Sequence, residues 1–397
     1  MRKSKTEEVQ LKKLGVLIKI ISVLALVLFF GGCNTQNSKL ELKNRLIVQG
    51  IGIDKADGML SVSVQALNTD VSSNSASSGA PDEVVKCYSV SGCSISEAIS
   101  KLSDITGSDP LISQNRIVVF GREFAENGIA DYLDDFVRTT ENRITVYVAV
   151  ADGKAEGIIF SSLGENIIPA RRAEQIIRSS DFNANVVSTR AFELINAFSD
   201  GTASATLPVL KCVKDGENDV IEISATALFK DEKLICEKDD EIATGILWVN
   251  GRIGKGEISF EGANGVNITA NIIKSGTKIK TEIRDGKPCF DIKIKCSLDL
   301  SEVNKSVFEI MEIDDINEVG EYAERAIENY VENSINECIM KESADVFGFG
   351  RRLKRTCPSF YKSNVSDWSE MMKNCEYNTQ VDVKIERVGG SVARLYK

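Results

Sequence analysis

Four cations lie within five positions near the C-terminus of this sequence, and their spacing suits binding chemistry. They are Arg351, Arg352, Lys354 and Arg355. The whole chain carries a formal net charge of −10, so this segment contrasts with an acidic background. Exposed basic clusters attract acidic protein surfaces and anionic lipid headgroups. We therefore predict a partner-contact patch here; the alternative is a solvated loop whose charges balance those of the acidic helix before it.

The chain of 397 residues contains no histidine. Without an imidazole, Ser-His-Asp and Cys-His nucleophile systems and His-ligated zinc sites are excluded. The spacing Cys-x-x-Cys is also missing, which removes zinc ribbons and thioredoxin-type redox sites. An acidic balance of 58 Asp and Glu against 48 Lys and Arg argues against nucleic-acid binding. The sequence therefore predicts no enzyme, no cofactor, no metal site and no nucleic-acid partner.

Cys33 follows a segment with the order of an export signal. Residues 1–19 contain several cations, and residues 20–30 form an uncharged apolar run. This run is shorter than the ~20 residues that a membrane-spanning helix needs. The glycines directly before Cys33 resemble the lipobox of bacterial lipoproteins. We predict a signal peptide over 1–32 and lipidation of Cys33 by palmitate-type chains, which would anchor the protein to a membrane; the alternative is an uncleaved membrane anchor.

The nine other cysteines follow no metal-binding or redox spacing. Their number is odd, so at least one of them must be unpaired within the chain. Buried free thiols in an exported protein are the favoured interpretation. A disulfide bridge between Cys289 and Cys296 is the alternative that the sequence leaves open.

The first half of the chain alternates predicted strands and helices. Strands are predicted over 45–54, 59–67, 116–120 and 144–150, and helices over 95–106 and 124–138. Ser94 and Glu97 form a capping box for the first of these helices. Residues 68–82 are rich in serine and are predicted to form a mobile surface loop. This alternation favours a mixed sheet covered by helices.

The second half has the pattern of strands separated by glycines, followed by one long helix. Strands are predicted over 220–229, 244–249, 257–260, 266–273, 278–283, 290–300 and 380–387, and the helix over 316–343. Hairpin turns are predicted at Asn250-Gly251 and Asp285-Gly286. The fold class is therefore α+β (mixed α/β), with an N-terminal mixed sheet with helices and a C-terminal antiparallel sheet packed with a long helix. The predicted domains are 33–205, 206–265 and 266–397.

Several segments in this order resemble the Ger(x)C family of spore germination lipoproteins. They are Ile51–Lys55, Arg143–Ala155, the Asp345–Gly350 loop with Trp368 downstream, and Val383–Arg387. The resemblance runs from Cys33 to about Gly390. It implies a non-catalytic subunit of a nutrient germinant receptor, held by lipid on the outer face of the spore inner membrane. The implied partners are a membrane subunit with a large soluble domain and a transporter-like integral membrane subunit.

One position departs from this family, and two other function classes are alternatives. Asn34 follows Cys33, where the family often has a tryptophan. A solute-binding lipoprotein of a transport system is the alternative function, and it usually implies two doubly wound lobes. An envelope enzyme would need a carboxylate pair that the spacing does not select. Ser275 and Lys278 have a Ser-x-x-Lys spacing, but the companion motifs of penicillin-interacting enzymes are missing and a turn is expected there.

Overall fold

A computed structural model describes most of the chain from Arg45 onward. The described residues are 45–56, 58–68, 84–138, 143–199, 201, 204–303 and 313–388. The predicted signal peptide, the lipidation site Cys33 and almost all of the serine-rich segment 68–82 lie outside these residues.

The first sheet has nine strands and is mixed, as the sequence predicted. The strands are β1 (Arg45–Ala56), β2 (Met59–Leu67), β3 (Val85–Gly92), β4 (Asp109–Leu111), β5 (Ile117–Phe120), β6 (Tyr147–Ala151), β7 (Ala205–Asp215), β8 (Asn218–Lys230) and β9 (Lys233–Lys238). Their order is β3-β2-β1-β5-β6-β7-β8-β9, with β4 paired to β1. The strands β1, β5, β6 and β7 run parallel, and the outer pairs are antiparallel. Parallel strands at the centre need helical crossovers, which the first half of the chain supplies.

Six helices accompany the first sheet. They are α1 (Ile95–Thr106), α2 (Arg122–Asn127), α3 (Ala130–Arg138), α4 (Ala155–Ile159), α5 (Pro169–Arg178) and α6 (Ala191–Ser199). The Ser94 side chain accepts from the Glu97 amide and caps α1 as predicted. The single helix predicted over 124–138 is wrong, because Gly128 has a φ of 118° and separates α2 from α3. At this break the Ile129 amide donates to the Glu232 carbonyl of the turn before β9.

The second sheet has four strands and packs against the long helix. Its strands are β10 (Gly256–Glu261), β11 (Asn267–Arg284), β12 (Lys287–Val303) and β13 (Glu376–Val388). The helices of this half are α7 (Asp240–Val249), α8 (Ile313–Ile335), α9 (Phe349–Thr356), α10 (Pro358–Asn364) and α11 (Trp368–Met371). The sheet is antiparallel through β12, as predicted, but β13 pairs with β12 in parallel. The chain between them contains α8, which provides the crossover that a parallel pair requires.

The strand predicted over 244–249 is wrong, because this segment is the second half of helix α7. The Asp239 side chain accepts from the Ile242 amide and starts the helix. Seven of the ten residues of α7 are buried, including all of 245–249, so its apolar run lacks the helical period that would have distinguished it from a strand. The predicted hairpin at Asn250-Gly251 is instead the end of this helix, where Gly251 has a φ of 63°.

Helix α7 packs closely against α8. A Cβ atom at Gly245 would lie 2.0 Å from the Tyr330 carbonyl oxygen. Beside this contact, the Lys238 Nζ at the end of β9 lies 3.0 Å from Glu337 and 2.9 Å from Glu342. These two ion pairs join the first sheet to the segment that follows α8.

In the second sheet one further expectation is wrong, and one alternative that the sequence left open is excluded. The strands predicted over 266–273 and 278–283 are one continuous strand, β11, so Ser275 and Lys278 lie three residues apart within it. The Ser275 hydroxyl donates to the Ile253 carbonyl, and Lys278 is exposed, which gives no nucleophile and base pair. Cys289 and Cys296 lie on one strand seven residues apart, a separation of about 23 Å that no disulfide spans. The nine cysteines of the described residues are all free.

The predicted domain boundaries at residues 205 and 265 do not coincide with the limits of the two sheets. Strands β7 to β9 belong to the first sheet, while α7 and β10 pack in the core of the second. The division into domains itself stays a prediction. Two doubly wound lobes, which the solute-binding alternative implies, do not fit a second sheet whose first three strands are antiparallel.

Candidate functional site

The four predicted patch residues lie on one helix rather than in a loop. Helix α9 begins at Phe349, and Arg351, Lys354 and Arg355 are exposed on it. Arg352 is half-buried. Phe349 and Leu353, one helical turn apart, are buried and fix the opposite face of the helix to the core. The structure therefore brings all four cations together on one short, anchored helix.

A buried aspartate holds the start of this helix. Asp345 is 0% exposed, and its Oδ1 accepts from the Phe349 amide at 2.9 Å. Its Oδ2 accepts from the Gly350 amide at 2.7 Å and from the Trp368 Nε1 at 2.9 Å. Burial raises the pKa of Asp345, and the three donors oppose this by stabilising the charged form. The carboxylate thus ties the helix start to α11.

Aromatic side chains fill the space beneath the helix. The ring of Phe349 lies 4.6 Å from that of Phe290 on β12 and 5.1 Å from that of Tyr377 on β13. Phe347 packs on Phe349 at 5.3 Å. Trp368 is buried beside them and gives its indole N–H to Asp345. All three side chains are buried in the core, and this packing leaves α9 little freedom to move.

The charges on α9 repel one another. Arg351 and Arg355 are four residues apart and Arg352 and Arg355 are three apart, positions that face each other on a helix. Burial lowers the pKa of Arg352, and the cations Arg355 and Arg351 lower it further. Within the residues that the structure describes, no ion pair involves Arg352 or Arg355. Repulsion between Arg352 and Arg355, three residues apart, costs the folded state roughly a few tenths of a kcal/mol.

The patch also touches the first half of the molecule. The Arg351 guanidinium donates to the Asn196 carbonyl on α6 at 3.4 Å. The backbone amide of Ser204, just before β7, donates to the Asp345 carbonyl at 3.0 Å. The segment 345–351 therefore lies where the two sheets approach each other, and its position depends on both.

A second buried aspartate brings together two of the segments that carry the family resemblance. Asp54 at the end of the segment 51–55 is 6% exposed. Its carboxylate accepts from the amides of Ala155 at 2.8 Å and Glu156 at 3.0 Å, at the start of α4. A Cβ atom at Gly121 would lie 1.9 Å from its Oδ1. The segments 51–55 and 143–155 thus meet at one contact, in which Asp54 holds the start of α4. This contact gives the residues of both segments a structural role.

The sequence did not assign these roles to Asp54 and Asp345. For Asp345 a local signal exists, because an acid a few residues before a helix start is typical of a capping side chain. For Asp54 the partner lies 101 residues away, and no local pattern indicates it.

Among the residues described, no three Cys, Asp or Glu side chains group in a way that could hold a metal ion. No helix of the described chain is long and apolar enough to cross a membrane. Cys33, the predicted lipidation site, lies outside these residues. The candidate functional site is the cationic face of α9, formed by Arg351, Arg352, Lys354 and Arg355.

Comparison with known proteins matches both halves of the chain to domains of spore germination proteins. Residues 38–212 match the spore germination protein N-terminal domain, and residues 224–389 match the C-terminal domain described as spore germination B3/GerAC like. The spore germination protein GerQC of Bacillus cereus is 24% identical over 317 residues, covering 79% of this chain and 86% of that protein. Spore germination protein B3 of Bacillus subtilis (strain 168) is 22% identical over 358 residues, covering 88% and 92%.

A solved structure supports the fold independently. The crystal structure of the GerBC protein aligns with a TM-score of 0.56 at 19% identity, covering 85% of this chain and 96% of that one. At this identity the likeness concerns the fold alone. Because the two family matches together span most of the sequence, the assignment rests on the whole chain rather than on one motif. This chain belongs to the Ger(x)C family of spore germination proteins.

Proposed function

We propose that this chain is a non-catalytic, lipid-anchored subunit of a spore nutrient germinant receptor. It is required for nutrient-triggered germination and acts through protein contacts with membrane subunits. The proposed partners are a membrane subunit with a large soluble domain and a transporter-like subunit. Its proposed location is the outer face of the cytoplasmic membrane, which is the inner membrane of the spore. The family matches over both halves of the chain support this role.

The observation that carries the contact role is the cationic face of α9. Its four cations lie on a helix whose opposite face is anchored by Phe349 and Leu353 and whose start is held by Asp345. A fixed helix loses little conformational entropy when a partner binds, so more of the contact energy is available for affinity. On a chain with a formal net charge of −10, such a face favours an acidic partner surface and disfavours a second copy of this chain.

Lipidation of Cys33 would hold the chain at the membrane surface, where these contacts form. Two or three acyl chains hold a protein on a bilayer stably, where one chain does not. Restriction to the membrane plane raises the effective concentration of the subunit beside embedded partners. Weak contacts through α9 then suffice for assembly, because the lipid has already removed much of the cost of encounter.

Charge reversal on α9 tests the contact role. We expect the double variant Arg351→Glu and Arg355→Glu to reduce co-purification of the membrane subunits about tenfold, since each reversal replaces attraction by repulsion across the contact. Both positions are exposed, but Arg351 also donates to the Asn196 carbonyl, so the thermal unfolding of the variant is compared with that of the wild type. The measurement is the yield of the partner subunits recovered with this chain from spore membranes.

The matched control is Lys362→Glu on the neighbouring helix α10. Lys362 is exposed and lies outside the cluster, and the substitution makes the same charge change per residue. We expect normal recovery with this variant. Equal recovery for the control and the double variant, with both chains folded by their thermal unfolding, would contradict the assignment of α9 as the contact.

A further inference from the structure

The second sheet ends at β10, and the outer edge of this strand is unpaired in the described chain. β10 is the first strand in the order β10-β11-β12-β13, and it pairs with β11 alone. In an antiparallel pair, alternate residues direct their backbone N–H and C=O groups away from the neighbouring strand. Among the described residues, no backbone group outside β11 bonds to those of β10. Such an edge can accept one further strand.

A cavity of about 850 Å³ lies along the start of β10. Its other walls are the loop 182–185, one face of α7 and the side chain of Tyr330 on α8. A Cβ atom at Gly256 would lie 2.8 Å from the Ala184 amide nitrogen, so the loop closes the cavity at the start of the strand. On this loop the ring of Phe182 is 66% exposed and offers an apolar contact. The volume is in the range of ligand pockets, about 300–1,000 Å³.

The charged side chains of this cavity favour a cationic ligand. Three carboxylates and one cation line it, and they are Asp240, Glu241, Glu257 and Lys255. The Asn185 Nδ2 donates to Asp240 at 3.0 Å and the Asn333 Nδ2 donates to Glu241 at 2.7 Å. Because both of these donors are neutral, the two carboxylates keep their negative charge. Burial raises the pKa of the Tyr330 hydroxyl in the same wall, and the charge of Glu241 raises it further.

One buried donor in the lining has no acceptor. Trp248 is 1% exposed, and its indole N–H has no partner in the described part of the chain. Buried donors are nearly always satisfied, because an unmet one lowers stability. The cavity therefore offers acceptors to a cation and needs an acceptor for Trp248. A peptide with basic side chains brings both, since its backbone C=O groups accept and its ammonium or guanidinium groups donate.

We infer that this cavity binds an extended basic segment of another protein, which adds as a strand to the outer edge of β10. Backbone hydrogen bonds to β10 hold the segment, and its basic side chains meet the carboxylates of the cavity. A second copy of this chain is a poor occupant, because pairing of two β10 edges would bring Glu257 and Glu261 of both copies together. The cavity shares no lining residue with α9, so the inference does not depend on the contact role of that helix.

The first test asks which peptides the full chain binds. Binders are selected from a displayed library of random octapeptides, with the full chain in detergent as the target. We expect one enriched group to carry Lys or Arg at every second position, because alternate side chains of an added strand lie on the same face. Enrichment without such a basic group would overturn the inference.

The second test asks whether the peptide pairs as a strand. The best basic peptide is compared with two copies of it, N-methylated at either the odd or the even backbone amides. All three have the same side chains and charge, but only one set of amides faces β10. We expect isothermal titration to show at least about tenfold weaker binding for one copy and little change for the other. Equal affinity of all three peptides would show that charge alone drives binding and would refute strand addition.

Trp248 provides a spectroscopic readout with an internal control. The chain has two tryptophans, and the indole of Trp368 already donates to Asp345. With isotope-labelled tryptophan, the indole proton resonance of Trp248 should move downfield when the peptide binds, while that of Trp368 should stay in place. An unchanged Trp248 resonance at saturation would contradict the role of its N–H as a donor to the segment.

A pair of charge reversals locates the binding. Glu257 and Glu376 are both exposed on edge strands of the second sheet, but only Glu257 lines the cavity. We expect Glu257→Lys to weaken binding of the basic peptide at least about tenfold and Glu376→Lys to change it less than about twofold. Equal affinities of the two variants would place the peptide elsewhere and would refute the assignment.

Discussion

Each half of the molecule contains one buried aspartate that holds the start of a helix, and the two differ in the reach of their contacts. Asp54 in the first half accepts from Ala155 and Glu156, more than 100 residues away. Asp345 in the second half accepts from amides four and five residues away and from the more distant Trp368. The first contact fixes how two distant segments meet, whereas the second builds a rigid local base beneath a charged surface.

The pKa values of the two carboxyl groups are shifted in the same direction and by the same causes. Burial raises the pKa of both, and backbone donors oppose this by stabilising the charged form. Asp345 has three donors and is fully buried, while Asp54 has two and is slightly exposed. A carboxylate with three donors and no contact with water is harder to replace, so we expect the second half to be the more sensitive to substitution.

The largest effect is expected from Asp345→Asn. An amide has one acceptor oxygen, and its NH2 group would face at least one of the three donors that now meet the carboxylate. The expected loss in the free energy of unfolding is about 3 kcal/mol, measured by urea denaturation. The variant should also show weaker recovery of partner subunits, because α9 loses its fixed start. A loss below about 1 kcal/mol would mean that the aspartate is not what holds the helix.

Asp54→Asn should cost less, about 2 kcal/mol, because only one of its two donors would lose its acceptor. Its effect should stay in the first half, so recovery of partner subunits by the folded variant should match that of the wild type. Hydrogen exchange of the Ala155 and Glu156 amides gives the local readout. Faster exchange of the α9 amides in this variant would contradict the separation of the two contacts.

Trp368→Phe should have the smallest effect, about 1 kcal/mol, measured by the same denaturation experiment. The substitution keeps an aromatic ring in the core and removes one of the three donors to Asp345. The two backbone donors remain, so α9 should keep its start. A loss as large as that of Asp345→Asn would show that the indole, rather than the backbone amides, is the main partner of the carboxylate.

The sequence predicted most clearly those elements whose signals are local. Ser94 and Glu97 located the start of α1, an apolar run with glycines located β1, and alternating apolar and polar residues located β2. The pattern predicted a strand at α7, because the apolar run 245–249 is buried throughout and lacks the polar positions that reveal a helical period. The segment of α9 was also predicted as a loop, because Gly348 and Gly350 flank Phe349 and glycines are typical of loops. In the structure, the positive φ of Gly348 is what starts the helix.

The candidate site was predicted in part. The position of the four cations could be taken from the sequence, because a charge cluster on an acidic chain is visible without a structure. The support of their helix by Trp368 could not be predicted, because it depends on a contact across 23 residues. The Asp345 cap lies only four and five residues from the amides it holds and left a local signal. The contact between Asp54 and Ala155 depends on the packing of the whole first sheet, which no local pattern encodes.

The most direct test of the receptor role is the nutrient-triggered loss of optical density in spores that lack this gene, with a non-nutrient trigger run in parallel. The account predicts that the response to particular nutrients is lost, that the non-nutrient response persists, and that the wild-type gene restores the lost response. Restoration by a gene that encodes Cys33→Ala should be reduced, because the chain would no longer be concentrated at the membrane. An unchanged response to every nutrient, in a strain from which the paralogous receptors have also been deleted, would contradict the role of this chain in nutrient sensing.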